Sequence, residues 1–233
     1  MKKILFGFAA IAALIGTPAL AADMPLKAPP PAPVMNWTGF YFGLEGGGGF
    51  ANTRQTDTSG VTSGTYGQAG GLFGVTGGYN WQFGNIVAGI EADFSWSDIN
   101  GSVNLAACSA GGGTVCFTNM QWLTTERARL GVLVSNNMLL YVTGGAAGAD
   151  IRAGQVSCAT PIAGAIASCG TRTEWAPTGG LGVEAMFAPH WSAKVEWLYT
   201  SFGTHQFYTV FIPVNVREDN VSIIRAGINW HFN

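Results

Sequence analysis

Only 10% of the 233 residues are Asp, Glu, Lys or Arg, against roughly 25% in ordinary soluble domains. Long apolar runs are missing too. Beyond residue 21 nothing reaches the ~18 consecutive apolar residues needed to cross a bilayer as a helix. The nearest stretch, 130–149, is interrupted by Ser135-Asn136-Asn137 and then by glycines. A helical membrane protein is excluded. Lys and Arg form no cluster, so nucleic acid is excluded as a partner. Cysteine occurs 4 times, as two close pairs, Cys108/Cys116 and Cys158/Cys169. They lack the C-x₂-C spacing and adjacent histidines of a zinc site. In an exported chain such pairs read as disulfides, within each loop or across loops.

Glycine, by contrast, reaches 34 residues and tryptophan 8. Low charge, abundant glycine, many aromatics and no helical span together suit a transmembrane β-barrel. The chain opens with Lys2 and Lys3, an apolar stretch from Ile4 to Ile15, and Ala19-Leu20-Ala21. This is the pattern of a secretory signal peptide over 1–21, cleaved after Ala21. Without Lys2 and Lys3 the 11 basic residues fall to 9 against 13 acidic ones, a net charge of −4. Residues 22–36 are proline-rich, cannot join a sheet interior, and read as a periplasmic tether. The barrel is expected over 37–233.

Period-two alternation predicts eight strands, near 37–50, 71–83, 86–98, 120–134, 138–151, 173–187, 191–202 and 217–232. Three connections are tight: Gly84-Asn85, Ser135-Asn136-Asn137 and Ala188-Pro189-His190. Their glycine, asparagine and proline supply turn dihedrals. The other four, 51–70, 99–119, 152–172 and 203–216, are long. Short and long alternate strictly. The prediction is an all-β, eight-stranded antiparallel up-and-down transmembrane β-barrel with short periplasmic turns and long extracellular loops.

The two faces of each strand differ in kind. Phe73, Val75, Tyr79, Trp81 and Phe83 share one face, as do Ile90, Ala92, Phe94 and Trp96. The polar face collects Glu45, Glu91, Asp93, Glu184 and Glu196 against Arg127, Arg129, Lys194 and Arg225. Five negatives nearly match four positives, as enclosed charges must, because an unpaired buried ion costs several kcal/mol. The polar face is therefore assigned to the lumen and the apolar face to lipid. A soluble barrel around an apolar ligand would reverse the faces and carry more surface charge. Trp37, Trp81, Trp96, Trp122, Trp175, Trp191, Trp230, Tyr79 and Tyr199 sit near strand ends, as interfacial girdles do. Glu126 has lipid-facing parity, so either it lies above the apolar band or a bulge near Thr124 shifts the register.

No catalytic site stands out. Nucleophile, base and orienting group must lie within hydrogen-bond reach, and no Ser or Asp neighbours His190, His205 or His231 in sequence. The run Gly46–Gly49 lacks the Lys-Ser/Thr of a phosphate loop. Cofactors and metals are expected to be none, and the chain is read as no enzyme.

"NWTGFYFG" (36–43), "EADFSWSDI" (91–99), "ERARLGVLV" (126–134), "LYVTGGAAG" (140–148), "VEAMFAPHWSAKVEWLYTSFG" (183–203) and "IRAGINWHF" (224–232) resemble the small outer-membrane barrels of alphaproteobacteria, the outer-membrane immunogenic or porin-family proteins. The resemblance covers nearly all of the expected mature chain and fails mainly in the long loops. It implies a bacterial outer-membrane location among lipids and lipopolysaccharide. It also implies a C-terminal aromatic signal, here Trp230 and Phe232, for the barrel-assembly machinery, with Asn233 as a departure from the strict terminal form. The expected function is structural: envelope integrity and surface display, with the lumen largely plugged by a charge network. The alternatives are a narrow porin for ions or very small solutes, and a surface receptor or adhesin binding a host or small-molecule ligand such as haemin at its loops.

Overall fold

Two-residue turns tie neighbouring strands into hairpins. At Gly84-Asn85 the glycine adopts φ +62°, a conformation that a Cβ would oppose. Asn136-Asn137 and Pro189-His190 make the other two such turns. The computed structural model describes residues 35–57, 60, 62–104, 115–155, 168–207 and 214–232. The strands are β1 (Gly39–Asp57), β2 (Thr62–Phe83), β3 (Ile86–Asn104), β4 (Val115–Ser135), β5 (Met138–Gln155), β6 (Ser168–Ala188), β7 (Trp191–Thr200), β8 (Gly203–Phe207) and β9 (Val214–His231). Each pairs antiparallel with the next from β1 to β7. β9 then pairs with both β7 and β1, so β1–β7 and β9 close a ring of eight.

β8 is an addition to the eight strands expected. It pairs with β9 only, and continues the line of β7 after a break at Ser201-Phe202. β6 pairs with β7 only as far as Thr178, whose neighbour Pro177 has no N–H to donate. Gly203, at φ +78°, then redirects the chain.

The strands also run much farther toward the long-loop rim than expected. Most of the segment read as loop 51–70 is the paired end of the β1–β2 hairpin, with Ala51 opposite Gln68 and Thr53 opposite Tyr66. Parts of 99–119, 152–172 and 203–216 are likewise strand. These segments are rich in Ser, Thr, Gly and Asn and so looked like loop. Their small alternating side chains nevertheless pair well across antiparallel strands. Five of the nine strands have 19 or more residues, and β5 and β9 have 18, against the ~9–11 that cross a bilayer.

The exterior carries a belt of exposed large apolar side chains: Phe42, Leu44, Phe73, Ile90, Leu130, Val142, Leu181, Val195, Ile224 and Ile228 among them. Trp96 and Trp175 lie at one edge of the belt, and Trp81, Trp191 and Trp230 at the other. Trp37 departs from the girdle expected for it and is fully buried. Its backbone N–H donates to Gln82 Oε1 at 2.9 Å, while the backbone N–H of Gln82 donates to Thr38 Oγ1 at 3.0 Å. These bonds turn the segment before β1 into the short-turn mouth, where Trp37 packs with Val87, Leu139, Tyr141 and Met186. Among the described residues no cysteine thiol is free. Cys116 is buried on β4, while Cys108, Cys158 and the Cys169 side chain fall outside the described residues.

Closure brings β1 against β9 so tightly that a Cβ on Gly47 would strike Ile224 O and lie 2.6 Å from Arg225 Cα. On outward-facing Gly46 the nearest atom would be Leu72 O at 3.5 Å. Gly47→Ala is expected to lower the urea midpoint of the micelle-refolded barrel by about 1–3 kcal/mol of stability. Gly46→Ala should leave it unchanged or slightly raised.

Candidate functional site: the lumen

The inward faces of β1, β3, β4, β6, β7 and β9 bring all nine expected lumen charges, Glu45, Glu91, Asp93, Arg127, Arg129, Glu184, Lys194, Glu196 and Arg225, into the barrel, each at most 4% exposed. They interlock. Arg225 reaches three strands: Nε donates to Glu196 Oε1 at 2.8 Å, Nη2 to Asp93 Oδ2 at 2.7 Å, and Nη1 to Glu45 Oε1. Arg127 donates to Glu196 Oε2 at 2.7 Å, Asp93 Oδ2 at 3.1 Å and Thr125 Oγ1 at 2.7 Å, and also pairs with Glu91. Lys194 Nζ lies 3.0 Å from Glu91 Oε1 and 3.3 Å from Glu45 Oε2. Arg129 pairs with Glu184 at 2.8 Å and Glu91 at 3.4 Å. Its guanidinium lies between the rings of Tyr41 and Tyr141, 5.1 and 4.9 Å from their centroids. Each acid touches at least one base, so none is left as a bare buried charge.

Tyr41, Tyr141 and Thr125 belong to this network and were not singled out from sequence. Their inward parity was the available signal. Tyr41 Oη donates to Glu91 Oε2 at 2.7 Å. Gly78 and Gly182 leave the room these rings need, since a Cβ on Gly182 would sit 2.5 Å from the Tyr141 ring.

Toward the short-turn mouth Ser192, His231 and Glu184 meet. Ser192 Oγ donates to Glu184 Oε1 at 2.5 Å and lies 2.9 Å from His231 Nε2. Sequence placed no Ser or Asp beside a histidine, because Ser192 and His231 come together only through pairing of β7 with β9. This is not the arrangement of a catalytic triad. There the carboxylate orients the imidazole through the nitrogen opposite the hydroxyl. Here Glu184 and the hydroxyl both meet Nε2, and the Trp37 indole lies edge-on to the His231 ring, 5.9 Å away. His190 stacks on Trp230, and His205 Nδ1 lies 2.9 Å from Glu174 Oε2 near the opposite rim.

Beyond the charges, toward the long-loop rim, the interior turns apolar. Leu72, Ile99, Met120, Leu123, Ile151, Leu198, Phe202, Phe207, Val216, Val221 and Ile223 fill it. A second polar layer follows. Gln68 Nε2 donates to Glu218 Oε1 at 3.0 Å, and Gln55 donates to Tyr66 Oη at 2.9 Å. Glu218 was hidden from a parity reading. A bulge at Asn220, which has φ +57°, shifts the β1–β9 register between Phe50 and Asn52 and turns Glu218 inward. Burial pushes the Glu218 carboxyl up to about 7, against the opposing pull of hydrogen bonds from Gln68 and Thr53.

Glu126 points outward. The register near Thr124 is unbroken, with Glu126 opposite Ala92 and Ala146. It lies on the apolar belt, four residues inside Trp122, beside a groove of ≈ 690 Å³ lined partly by Phe40, Gly77, Ile90 and Ala92. Neither expected escape from the lipid-facing wall is realised.

A closed ring of long antiparallel strands, apolar outside and charged within, defines an outer-membrane class of barrel. The family model "Outer membrane protein beta-barrel domain" matches residues 8–232, and the chain belongs to that family. It is 34% identical over 249 aligned residues to the 31 kDa outer-membrane immunogenic protein of Brucella melitensis, across the whole of both chains. It is 31% identical over 187 residues to the 22 kDa outer membrane protein of Rhizobium leguminosarum, covering 80% of this chain and 72% of the relative. The outer membrane protein OprG of Pseudomonas aeruginosa shares the fold at TM-score 0.55 and 14% identity, over 84% of this chain and 98% of that one.

Arg225→Ala strips Glu45, Asp93 and Glu196 of one shared cation. It is expected to cost about 3–5 kcal/mol in urea unfolding. Arg172→Ala, whose side chain is 50% exposed in its pair with Glu174, should cost about 0–1 kcal/mol.

Glu218 gives a pH dependence of known sign. A carboxyl raised in the folded state keeps its proton there while the unfolded chain has ionised. Stability therefore falls as pH rises from about 4.5 to about 7, by about 3 kcal/mol in the limit, and stays down above that. In Glu218→Gln, hydrogen exchange of the β8 and β9 amides at the long-loop end should be slower than in the parent above pH ~7 and equal below pH ~4.5.

Proposed function

We propose that this outer-membrane barrel is a structural envelope protein, exported by a signal peptide over 1–21 and displaying its long-loop rim at the cell surface. The observation that carries the reading is the ion cage. All nine charges have partners, and their side chains are at most 1% exposed. An eight-strand barrel is just wide enough for side chains to fill. The Trp37 cluster on one side and the Leu123–Ile151 layer on the other add dry seals to that cage. A continuous water path would have to dissolve three layers.

Residues 22–36 serve as a periplasmic tether. Trp230 and Phe232, exposed at 38% and 65% on the last strand, present the aromatic signal to the barrel-assembly machinery. Lipopolysaccharide and other outer-membrane lipids surround the belt. The chain has no catalytic role, because the Ser192–His231 contact, the one Ser–His contact among the described residues, is sealed and lacks an orienting third group.

Planar-bilayer recording tests the reading against a narrow porin. Reconstituted parent protein is expected to give no stable conductance steps, and Arg129→Ala only occasional ones. Steady steps in the parent that widen in Arg129→Ala would establish a pore instead.

A further inference from the structure

The polar layer inside the long-loop end leaves buried acceptors without donors. Glu218 Oε1 takes hydrogen bonds from Gln68 Nε2 at 3.0 Å and Thr53 Oγ1 at 3.3 Å. Its second oxygen, Oε2, is buried and has no hydrogen-bond partner. The same holds for Gln68 Oε1 and Gln55 Oε1. All three side chains are at most 3% exposed. Neither amide is relieved by turning over. Gln68 Nε2 donates to a carboxylate and to the Thr53 hydroxyl, and an oxygen in its place would face Glu218 Oε1. Gln55 Nε2 donates to Phe117 O and Tyr66 Oη, both at 2.9 Å, and a flip would set two carbonyl oxygens together. The bonding fixes both amide orientations and leaves their oxygens over.

The three oxygens belong to one layer. Thr53 on β1 stands opposite both Tyr66 on β2 and Glu218 on β9. Gln55, the next inward residue along β1, holds Tyr66 Oη, and the Glu218 carboxylate is near enough to oppose ionisation of that hydroxyl. A buried acceptor without a donor is costly, and a buried carboxylate more so. Among the described residues Glu218 is bonded by an amide and a hydroxyl rather than by a cation. A carboxylate and amide carbonyls are the ligands of hard, oxygen-seeking cations. Among the described residues no three His, Cys, Asp or Glu side chains gather as a metal site. One carboxylate balances one positive charge, so a monovalent ion leaves the buried site neutral.

We propose that Glu218 Oε2, Gln68 Oε1 and Gln55 Oε1 bind a small monovalent cation of the sodium type inside the long-loop end of the barrel, with water completing its shell. The ion takes the place that a proton holds at low pH. In the ion-free protein burial pushes the Glu218 carboxyl up to about 7, so sodium competes with the proton and binds better as pH rises through that value. The pH dependence given above for Glu218 is that of the ion-free protein. Tyr66 is the titratable side chain facing Glu218 among the described residues, and burial pushes its hydroxyl up to about 12. It therefore stays neutral throughout. On β6 and β8 the groups Arg172, Glu174 and His205 pair among themselves.

The test measures urea unfolding of the micelle-refolded protein at constant ionic strength, with sodium chloride exchanged for choline chloride. At pH ~8 a rise from about 1 to about 100 mM sodium should lower the unfolding equilibrium constant about tenfold. At pH ~5, where the carboxyl keeps its proton, the same exchange should leave the constant unchanged. Sodium NMR linewidths read the binding directly, and the parent should broaden them at the higher pH. Glu218→Gln should lose both effects. Glu174→Gln, which removes a carboxylate held by Arg172 and His205 at the same end of the barrel, should keep them. Heat-modifiable gel mobility shows whether each variant has folded. Should Glu218→Gln fail that check, Gln68→Met, which removes one oxygen ligand, is expected to weaken the sodium effect several-fold. No sodium dependence in the parent, an equal effect at both pH values, or an effect that survives in folded Glu218→Gln overturns the proposal. So does a larger effect from calcium at the same concentration, which would make the site divalent.

Discussion

Everything in this molecule follows from the requirement that each backbone N–H and C=O within hydrocarbon find a partner inside the protein. An open sheet in lipid would leave two rows of such groups bare, at several kcal/mol each. Pairing of β1 with β9 removes both edges at once. With eight staves the enclosed space is narrow, and whatever lines it must pack as a core does. The crowding shows at Gly47, Gly78 and Gly182, where backbone or a tyrosine ring occupies the place of a Cβ. It shows again in the charges, each of which lies within reach of more than one strand.

The interior is not of one kind along its length. Within the belt, apolar side chains face out and ions face in, because the solvent there is lipid. Beyond the belt the wall behaves as a water-soluble barrel does, with Ile99, Met120, Ile151 and Val216 inside and Asn52, Arg54 and Thr65 outside. The change of solvent reverses the preference of the same alternating backbone. The long-loop end therefore has a dry core of its own, which holds strands of roughly twice the spanning length together above the membrane.

Glu126 and Glu218 show two ways in which a carboxyl can be misplaced. Glu126 lies on the lipid-facing wall in an unbroken register, so its position is set by parity alone. Glu218 reaches the interior through the Asn220 bulge and is bonded there, among the described residues, by the Gln68 amide and the Thr53 hydroxyl rather than by a cation. The ion cage contains neither residue. Its nine members are mutually supporting because five acids from four strands face arginines on β4 and β9 and a lysine on β7.

Alternation along each strand and the short turns at 84–85, 136–137 and 189–190 are local properties, so ring topology, strand polarity and the inward placement of the nine charges were legible before any coordinates. The extended hairpins were not. Segments rich in Gly, Asn and Ser carry weak strand propensity, and only cross-strand pairing across β1–β2, β3–β4 and β5–β6 makes them strands. Trp37 looked like a girdle residue until Gln82 and Thr38 turned it into the mouth. Which side of the wall Glu218 faces depends on one residue's φ, and which atoms Arg225 bridges depends on strands far apart in sequence. Period-two patterning by itself determined what faces lipid, because the solvent acts on each residue separately. Which ions meet, where the register slips and how far the sheet continues were decided by the closed tertiary structure, because those depend on partners that only the ring brings together.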